Sequence, residues 1–222
     1  MNLISQKIQS ISGEVLCPGD KSISQRILII GSFLNCEMEI DGFLDSEDPN
    51  STLRALNEIG ASIKKEQNKI FLTRRNIPFQ EPSNNLDLGN SGTGARLILG
   101  LISGLSLKST IVGDLSLSNR PMLRVIKPLT EMGAKIDSSN GTLPIHTYDS
   151  KISNNFKYDM PIASAQVKSC LLLAALASKN NIKIIEPKIT RDHTERMIDY
   201  FGGDISFGTK ENIGEVVLKF KN

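Results

Sequence analysis

NEIGASI at residues 57–63 returns as TEMGAKI at residues 130–136 and, more loosely, as DYFGGDI at residues 199–205. Apolar runs follow Arg26 and Arg96 and begin again at Leu171, so a second feature has the same period of about 70 residues. A fixed period of this length indicates one supersecondary unit that is copied along the chain. The sequence therefore predicts three repeats.

Each repeat has the same predicted order of elements. An extended segment leads into a helix that is apolar nearly all round, and a strand, an amphipathic helix that ends at the glycine of the repeated stretch, and a hairpin of two strands follow. The hairpin turns are expected at residues 66–69, 138–141 and 208–214. We predict an α/β (α+β) lobe of three βαβαββ repeats, at about residues 10–80, 81–150 and 151–222.

Helices that are apolar on all sides belong in the interior, so the lobe should have three buried parallel helices surrounded by sheets. If a pseudo-threefold axis relates the repeats, the three helices begin at one end of the lobe. That end is where we expect the function.

The composition excludes several classes of protein. The 26 Lys and Arg nearly balance the 24 Asp and Glu, so a dedicated nucleic-acid binder is not expected. No apolar stretch is long enough to span a membrane and the first residues lack a signal peptide, so a cytoplasmic location is expected. Three cysteines and two histidines lack metal-ligand spacing, so no metal and no cofactor are expected.

The three buried helices are preceded by polar, glycine-containing segments: PGDKSISQR at 18–26, LGNSGTGAR at 88–96 and ASAQVKS at 163–169. Free N–H groups and the positive end of the helix dipole favour an anion at each start. Lys21 and Arg26 add positive charge, and Gly89, Gly92 and Gly94 would let a ligand approach the backbone. Three such starts at one end would suit a substrate with several negative groups.

Structural roles for the same residues are open alternatives. Ser22, Asn90 and Ser164 could be ordinary N-caps, and Arg26 and Arg96 could lie at the edge of the core with only their charged ends in water. Arg120 precedes a proline at an expected N1 position, and Arg191 has a similar place in the third repeat; either could be a surface arginine.

The segments PGDKSISQR, LGNSGTGAR, SLSNRPMLRVIKPL, SAQVKS and TRDHTERM resemble the 5-enolpyruvylshikimate-3-phosphate (EPSP) synthase family in order and spacing, and the last two resemble its second sequence class. The resemblance implies a lobe of three βαβαββ units. It also implies transfer of the enolpyruvyl group from phosphoenolpyruvate to shikimate 3-phosphate, a step of aromatic amino acid biosynthesis.

The resemblance also implies roles for individual residues. Shikimate 3-phosphate would contact Lys21, Ser22, Arg26, Ser164, the Ala165 backbone, Gln166 and Arg191. Phosphoenolpyruvate would contact Lys21, Asn90, Gly92, Arg120 and Gln166. Lys21 is the one candidate for proton transfer in this chain, and Gly92, where tolerant members often have Ala, implies sensitivity to glyphosate. Many relatives have Ser in place of Ala165.

The resemblance extends over only about half of the family's enzyme. A C-terminal lobe, in cis or in trans, is the expected partner, and the chain alone is expected to bind shikimate 3-phosphate without turnover. Two alternatives stay open: a non-catalytic anion-binding or lobe-pairing module, and half of a UDP-N-acetylglucosamine enolpyruvyltransferase. The second is disfavoured because no Cys lies between residues 37 and 169 and because Ser22 stands where that family has Asn.

Overall fold

The computed structural model describes residues 3–66, 69–210 and 213–220. Its helices are α1 (Lys21–Leu34), α2 (Glu47–Glu58), α3 (Gly92–Leu105), α4 (Leu115–Ser118), α5 (Leu123–Glu131), α6 (Ala165–Ser178) and α7 (His193–Tyr200). Its strands are β1 (Met38–Ile40), β2 (Ile63–Glu66), β3 (Lys69–Leu72), β4 (Leu86–Asp87), β5 (Ser109–Val112), β6 (Lys135–Ser139), β7 (Thr142–Tyr148), β8 (Phe156–Asp159), β9 (Ile182–Glu186), β10 (Asp204–Lys210) and β11 (Ile213–Lys219). None of the described helices has the length and apolar character needed to cross a membrane.

The strands form three sheets, and each sheet comes from one continuous stretch of the chain. The strand orders are β1-β3-β2, β4-β5-β7-β6 and β8-β9-β11-β10. In the second and third sheets the first strand runs parallel to its neighbour, and the other pairs are antiparallel. The mixed architecture and the repeated sheet order confirm the predicted fold class.

The predicted first strand of the first repeat is wrong. Within residues 3–20 no strand forms, and no described segment pairs with β1 on the side where β4 and β8 lie in the other sheets. The segment lacks the side-chain packing that stabilises a strand, since the large apolar side chains of residues 3–16 are 59–98% exposed. The first unit is therefore αβαββ, whereas the second and third begin with a strand.

The first helix of each repeat forms the centre of the core. α3 and α6 pack so closely that a Cβ on Gly100 would lie 2.2 Å from the Cys170 carbonyl oxygen, and one on Gly104 would lie 2.3 Å from that of Ala174. The small residues in these apolar runs allow this approach, as the sequence predicts.

The first helix and the amphipathic helix of each repeat are followed by a residue in the left-handed region. Gly60, Gly133 and Gly202, the glycines of the repeated stretches, have φ of 94°, 108° and 82°, which confirms the predicted helix ends. The first helices end at residues that the sequence does not single out: Asn35, Ser106 and Lys179 have φ of 55°, 59° and 54°. Non-glycine residues seldom adopt this left-handed conformation, so its recurrence at three equivalent positions shows that the repeats share their backbone conformation as well.

The hairpin turns occur where they are predicted. Asn140 and Gly141 join β6 to β7 with φ of 55° and 75°, the two left-handed residues that a type I′ turn requires. β2 and β3 pair up to Glu66 and Lys69, and β10 and β11 pair up to Lys210 and Ile213. The tips of these two turns, residues 67–68 and 211–212, lie outside the described residues.

Candidate anion-binding site

The first turns of α1, α3 and α6 meet at one end of the lobe, as expected. Three hydrogen bonds join them: Gln25 Nε2 to Ser91 Oγ (2.6 Å), Gln166 Nε2 to Thr93 Oγ1 (3.0 Å) and Arg26 Nη2 to Ser169 Oγ (2.9 Å). Each bond joins two of the three helices. The free N–H groups of three helix starts are therefore brought into one region.

Of Ser22, Asn90 and Ser164, the three residues that could be ordinary N-caps, only one caps a helix. Asp20 caps α1 by accepting from the Ile23 N–H at 2.8 Å, and Ser91 caps α3. Ser164 does cap α6, with its Oγ 3.4 Å from the Val167 nitrogen. The capping interpretation is therefore wrong for Ser22 and Asn90, whose side chains have no such role.

Lys21 already has an anionic partner within the protein. Its Nζ lies 2.7 Å from Asp48 Oδ2 in the first turn of α2. The side chain is 52% exposed, so this surface pair is weak and can yield to a ligand. A cation at a helix start is unfavourable unless an anion compensates it, and Asp20 and Asp48 provide that compensation in the free chain.

Arg26 does not extend its charged end into water; it is 3% exposed. Its Nε donates to Thr194 Oγ1 at 2.8 Å, and its Nη1 donates to the Ser22 carbonyl oxygen at 3.0 Å. Burial lowers the pKa of Arg26 to about 10, with Glu195 opposing the shift and nearby Arg191 adding to it. Two like charges near one another favour an anion between them.

Arg120 reaches the start of α3. It lies in the loop between α4 and α5, and Met122 is the N-cap of α5, so the expected position of Pro121 at N1 is wrong. Arg120 Nη2 donates to Asn90 Oδ1, and Asn90 Nδ2 donates to Asp114 Oδ2 at 2.6 Å. The Leu117 N–H and then Asn90 hold the pKa of Asp114 below its usual value. Asp114 therefore stays ionised and orients Asn90 toward Arg120.

Gly92 faces the same arginine. A Cβ on Gly92 would lie 2.9 Å from Arg96 Nη1 and 3.0 Å from Arg120 Nη1. Arg96 is buried and donates to the Gly92 carbonyl oxygen at 2.7 Å. Burial, followed by the charges of Arg124 and Arg120, lowers the pKa of Arg96. The start of α3 thus has two arginines beside it.

Gly94 has a packing role, which corrects its expected role in ligand approach. A Cβ there would lie 2.7 Å from both Ser91 Oγ and Thr52 Oγ1 and 3.1 Å from Gln25 Nε2. These polar atoms already occupy the space above its backbone. At Gly89, by contrast, a Cβ would meet nothing within 4 Å. Glycine suits this position because the backbone is left-handed there, with φ of 54°.

Of the remaining expected residues, three lie at the start of α6 and the fourth, Arg191, lies before α7. Ser164, Ala165 and Gln166 are half-buried, and Ser164 lines a cavity of about 340 Å³. Arg191 is exposed and lies one residue before Asp192, the N-cap of α7. It is close enough to Arg26 to lower the pKa of that residue. Arg191 therefore adds a second cation near Arg26, which itself donates to Ser169 on α6.

The family model of EPSP synthase (3-phosphoshikimate 1-carboxyvinyltransferase) matches residues 5–216. The chain belongs to the EPSP synthase family. A 3-phosphoshikimate 1-carboxyvinyltransferase of Petrotoga mobilis is 50% identical over 202 residues, which are 89% of this chain and 47% of the relative. One of Bartonella quintana is 43% identical over 209 residues, 93% of this chain and 47% of the relative. EPSP synthase of Acinetobacter baumannii matches in structure with a TM-score of 0.84 and 38% identity, over 95% of this chain and 47% of that one.

The chain spans about half the length of the EPSP synthases it matches. Within that half, sequence reasoning missed the buried polar residues that hold the helix starts together: Gln25, Thr52, Lys168, Ser169, Thr194 and Glu195. The one available signal was a charged or amide side chain at the edge of an apolar run, as at Gln25 and Lys168. That signal does not tell a core position from a surface position.

Proposed function

We propose that the chain is the shikimate 3-phosphate-binding half of a 3-phosphoshikimate 1-carboxyvinyltransferase. One observation carries the proposal: three helix starts converge and four cations lie near them, namely Lys21 and Arg26 on α1, Arg120 at the start of α3, and Arg191 near Arg26. A substrate with a phosphate and a carboxylate needs two separate anion sites, and this arrangement supplies them.

In this proposal Arg26 and Ser22 hold the ring carboxylate, Ser164, the Ala165 N–H and Arg191 surround the 3-phosphate, and Gln166 lies over the ring. Phosphoenolpyruvate lies between Lys21, Asn90, Gly92, Arg120 and Gln166. Support comes from the contacts of Arg120 with Asn90 and of Gln166 with Thr93, because both hold polar groups at the start of α3.

Lys21 is the candidate for proton transfer. The substrate hydroxyl must lose its proton as its oxygen joins the carboxyvinyl carbon and phosphate leaves, and an amine within hydrogen-bond reach can accept that proton. In the free chain Lys21 is paired with Asp48 at 2.7 Å. The role therefore requires Lys21 to leave Asp48 for the substrate and to be in its neutral amine form when it accepts the proton.

The complete reaction would need the second lobe, in cis or in trans, to close over the site and exclude water. Support comes from the half-length match and from the apolar side chains of residues 3–16, which find no cover in this half. A cytoplasmic location and sensitivity to glyphosate, both expected from the sequence, belong to the same proposal. The family assignment favours this function over a UDP-N-acetylglucosamine enolpyruvyltransferase half.

The test is calorimetric titration of shikimate 3-phosphate into the 222-residue chain, with Lys21→Met and Lys183→Met as a matched pair. Both lysines form exposed 2.7 Å ion pairs, Lys21 with Asp48 and Lys183 with Glu215. We expect binding that Lys21→Met weakens about tenfold or more and Lys183→Met leaves unchanged.

Absence of binding by a chain that circular dichroism shows to be folded would overturn the proposal and favour a lobe-pairing module. Turnover of both substrates by the pure chain would overturn the claim that it is only half of the catalytic unit. Addition of the second half of a relative should restore turnover if the proposal is correct.

A further inference from the structure

A buried ion cluster joins α6 to α7. Lys168 Nζ lies 2.8 Å from Glu186 Oε1 and 2.7 Å from Glu195 Oε1, and all three side chains are 3% exposed or less. Thr190 Oγ1 donates to the second oxygen of Glu186 at 2.7 Å. Breaking such a pair would leave a buried charge without a partner, so the cluster fixes the two helices relative to each other.

Each of these helices carries a hydroxyl next to the cluster. Ser169 follows Lys168 on α6, and Thr194 precedes Glu195 on α7. Thr194 Oγ1 donates to Ser169 Oγ at 2.7 Å, and both residues are buried. The ion pair and the hydroxyl pair thus bridge the same two helices side by side.

The hydroxyl pair holds Arg26. Nε of Arg26 donates to Thr194 Oγ1 at 2.8 Å and Nη2 donates to Ser169 Oγ at 2.9 Å, while Nη1 donates to the Ser22 carbonyl oxygen at 3.0 Å. A guanidinium has five N–H donors, and these bonds use three of them. One N–H on each terminal nitrogen remains, so both terminal nitrogens can still donate to a carboxylate.

No carboxylate of the described residues forms an ion pair with Arg26, although Glu195 is near enough to stabilise its charge. Neutral hydroxyls therefore hold this buried cation in place without taking up its two remaining N–H groups or neutralising its charge. A side chain that is held before binding loses less conformational freedom when the ligand arrives.

We propose that Thr194 and Ser169 are positioning residues that hold Arg26 for the ring carboxylate of shikimate 3-phosphate, with the Lys168–Glu195 ion pair fixing the helices that carry them. The inference rests on the proposed function, because it requires Arg26 to bind that carboxylate. It adds two residues that touch Arg26 and not the substrate.

The test compares Thr194→Val with Thr194→Ser in the 222-residue chain. Valine keeps the shape of the side chain and removes the hydroxyl, so Arg26 Nε loses its buried acceptor. We expect the affinity for shikimate 3-phosphate to fall about tenfold in Thr194→Val and to return to within about twofold in Thr194→Ser. Equal affinity of Thr194→Val and the unmutated chain would overturn the inference.

A double-mutant cycle separates positioning from general damage. In an Arg26→Ala background, followed by NMR titration because binding is weak, Thr194→Val should change the affinity by no more than about twofold. Thr147→Val is the matched control: Thr147 is buried on β7, outside the site, and its hydroxyl donates to the Leu107 carbonyl oxygen at 2.8 Å. It should lower the thermal midpoint and leave the affinity within about twofold. An equal loss with and without Arg26 would contradict a positioning role.

Hydrogen exchange, measured without ligand, tests the positioning of Arg26 separately from the proposed function. The Arg26 Nε–H proton should exchange slowly with water in the unmutated chain and rapidly in Thr194→Val, because its acceptor is gone. Rapid exchange in the unmutated chain would overturn the inference whatever the binding result. Slow exchange in a folded chain that binds no shikimate 3-phosphate would instead overturn the proposed function.

Discussion

At Gly92 the addition of a single methyl group should weaken ligand binding. An alanine there would place its Cβ 2.9 Å from Arg96 Nη1 and 3.0 Å from Arg120 Nη1. Arg96 is buried and held by two carbonyl oxygens, whereas Arg120 is half-buried and its tip can move. We therefore expect Gly92→Ala to displace Arg120 and weaken phosphoenolpyruvate binding about tenfold, with shikimate 3-phosphate affected less.

Titration of each ligand into the chain, with the second half of a relative added, checks this expectation. Gly208→Ala is the control, because a Cβ there meets nothing within 4 Å. Equal weakening of both ligands by Gly92→Ala would mean that the methyl group distorts α3 and does not act on Arg120 alone.

Glu195 should make the stability of the chain depend on pH. Its burial raises the pKa of the carboxyl in spite of Lys168, with Glu186 adding to the shift; Arg26 is the other charge near it. A folded-state pKa above the unfolded value gives a contribution that is present below the ordinary pKa of about 4.3 and is lost as pH rises through the folded pKa. The unfolding free energy of the unmutated chain should therefore fall relative to that of Glu195→Gln as pH rises.

Urea unfolding of both proteins between about pH 4 and pH 8 measures this difference. Glu215→Gln is the matched control, since Glu215 pairs with Lys183 at the surface. A difference between the unmutated chain and Glu195→Gln that stays constant with pH would show that Glu195 titrates alike in the folded and unfolded states.

The elements show how far the sequence determines the fold. Gly60, Gly133 and Gly202 mark three helix ends because only glycine adopts their backbone without strain, so a sequence pattern reveals them. Asn35, Ser106 and Lys179 adopt a similar backbone at the other helix ends without any such pattern. Tertiary packing holds them there.

The same distinction applies to the candidate site. Charged residues at helix starts, such as Lys21 and Arg120, could be predicted because the positions of the helix starts follow from the repeat. That Lys21 pairs with Asp48 and Arg120 with Asn90 could not be predicted, because these partners come from distant segments of the chain. Thr194 was beyond prediction for the same reason, since it lies 168 positions from Arg26.

The contact of α3 with α6 gives a prediction for the elements themselves. A Cβ on Gly100 would lie 2.2 Å from the Cys170 carbonyl oxygen, a backbone atom that cannot move without shifting α6. We expect Gly100→Ala to lower the free energy of unfolding by about 1–3 kcal/mol, the usual cost of overpacking a core. Urea unfolding beside Gly208→Ala checks this. Equal stability of the two variants would mean that the helices separate at little cost.

For the whole molecule, residues 3–16 contribute no packing. The side chains of Leu3, Ile4, Ile8, Ile11, Val15 and Leu16 are 59–98% exposed, and no described strand covers the free edge of β1. Apolar surface that stays in water adds nothing to the hydrophobic free energy of folding. Deleting everything before Cys17 should therefore leave the thermal midpoint of the isolated chain within about 2 °C.

When the chain is paired with a second lobe, the same deletion should weaken the pairing. Six exposed apolar side chains are typical of a surface that another part of a protein covers. We expect the shortened chain to bind the second half of a relative more weakly and to recover less turnover than the full chain at equal concentration. Titration of that half against both chains, with turnover as the readout, compares them directly. Equal recovery would mean that residues 3–16 remain exposed when the lobes pair, and a large drop in the midpoint of the isolated shortened chain would mean that they already pack on this half.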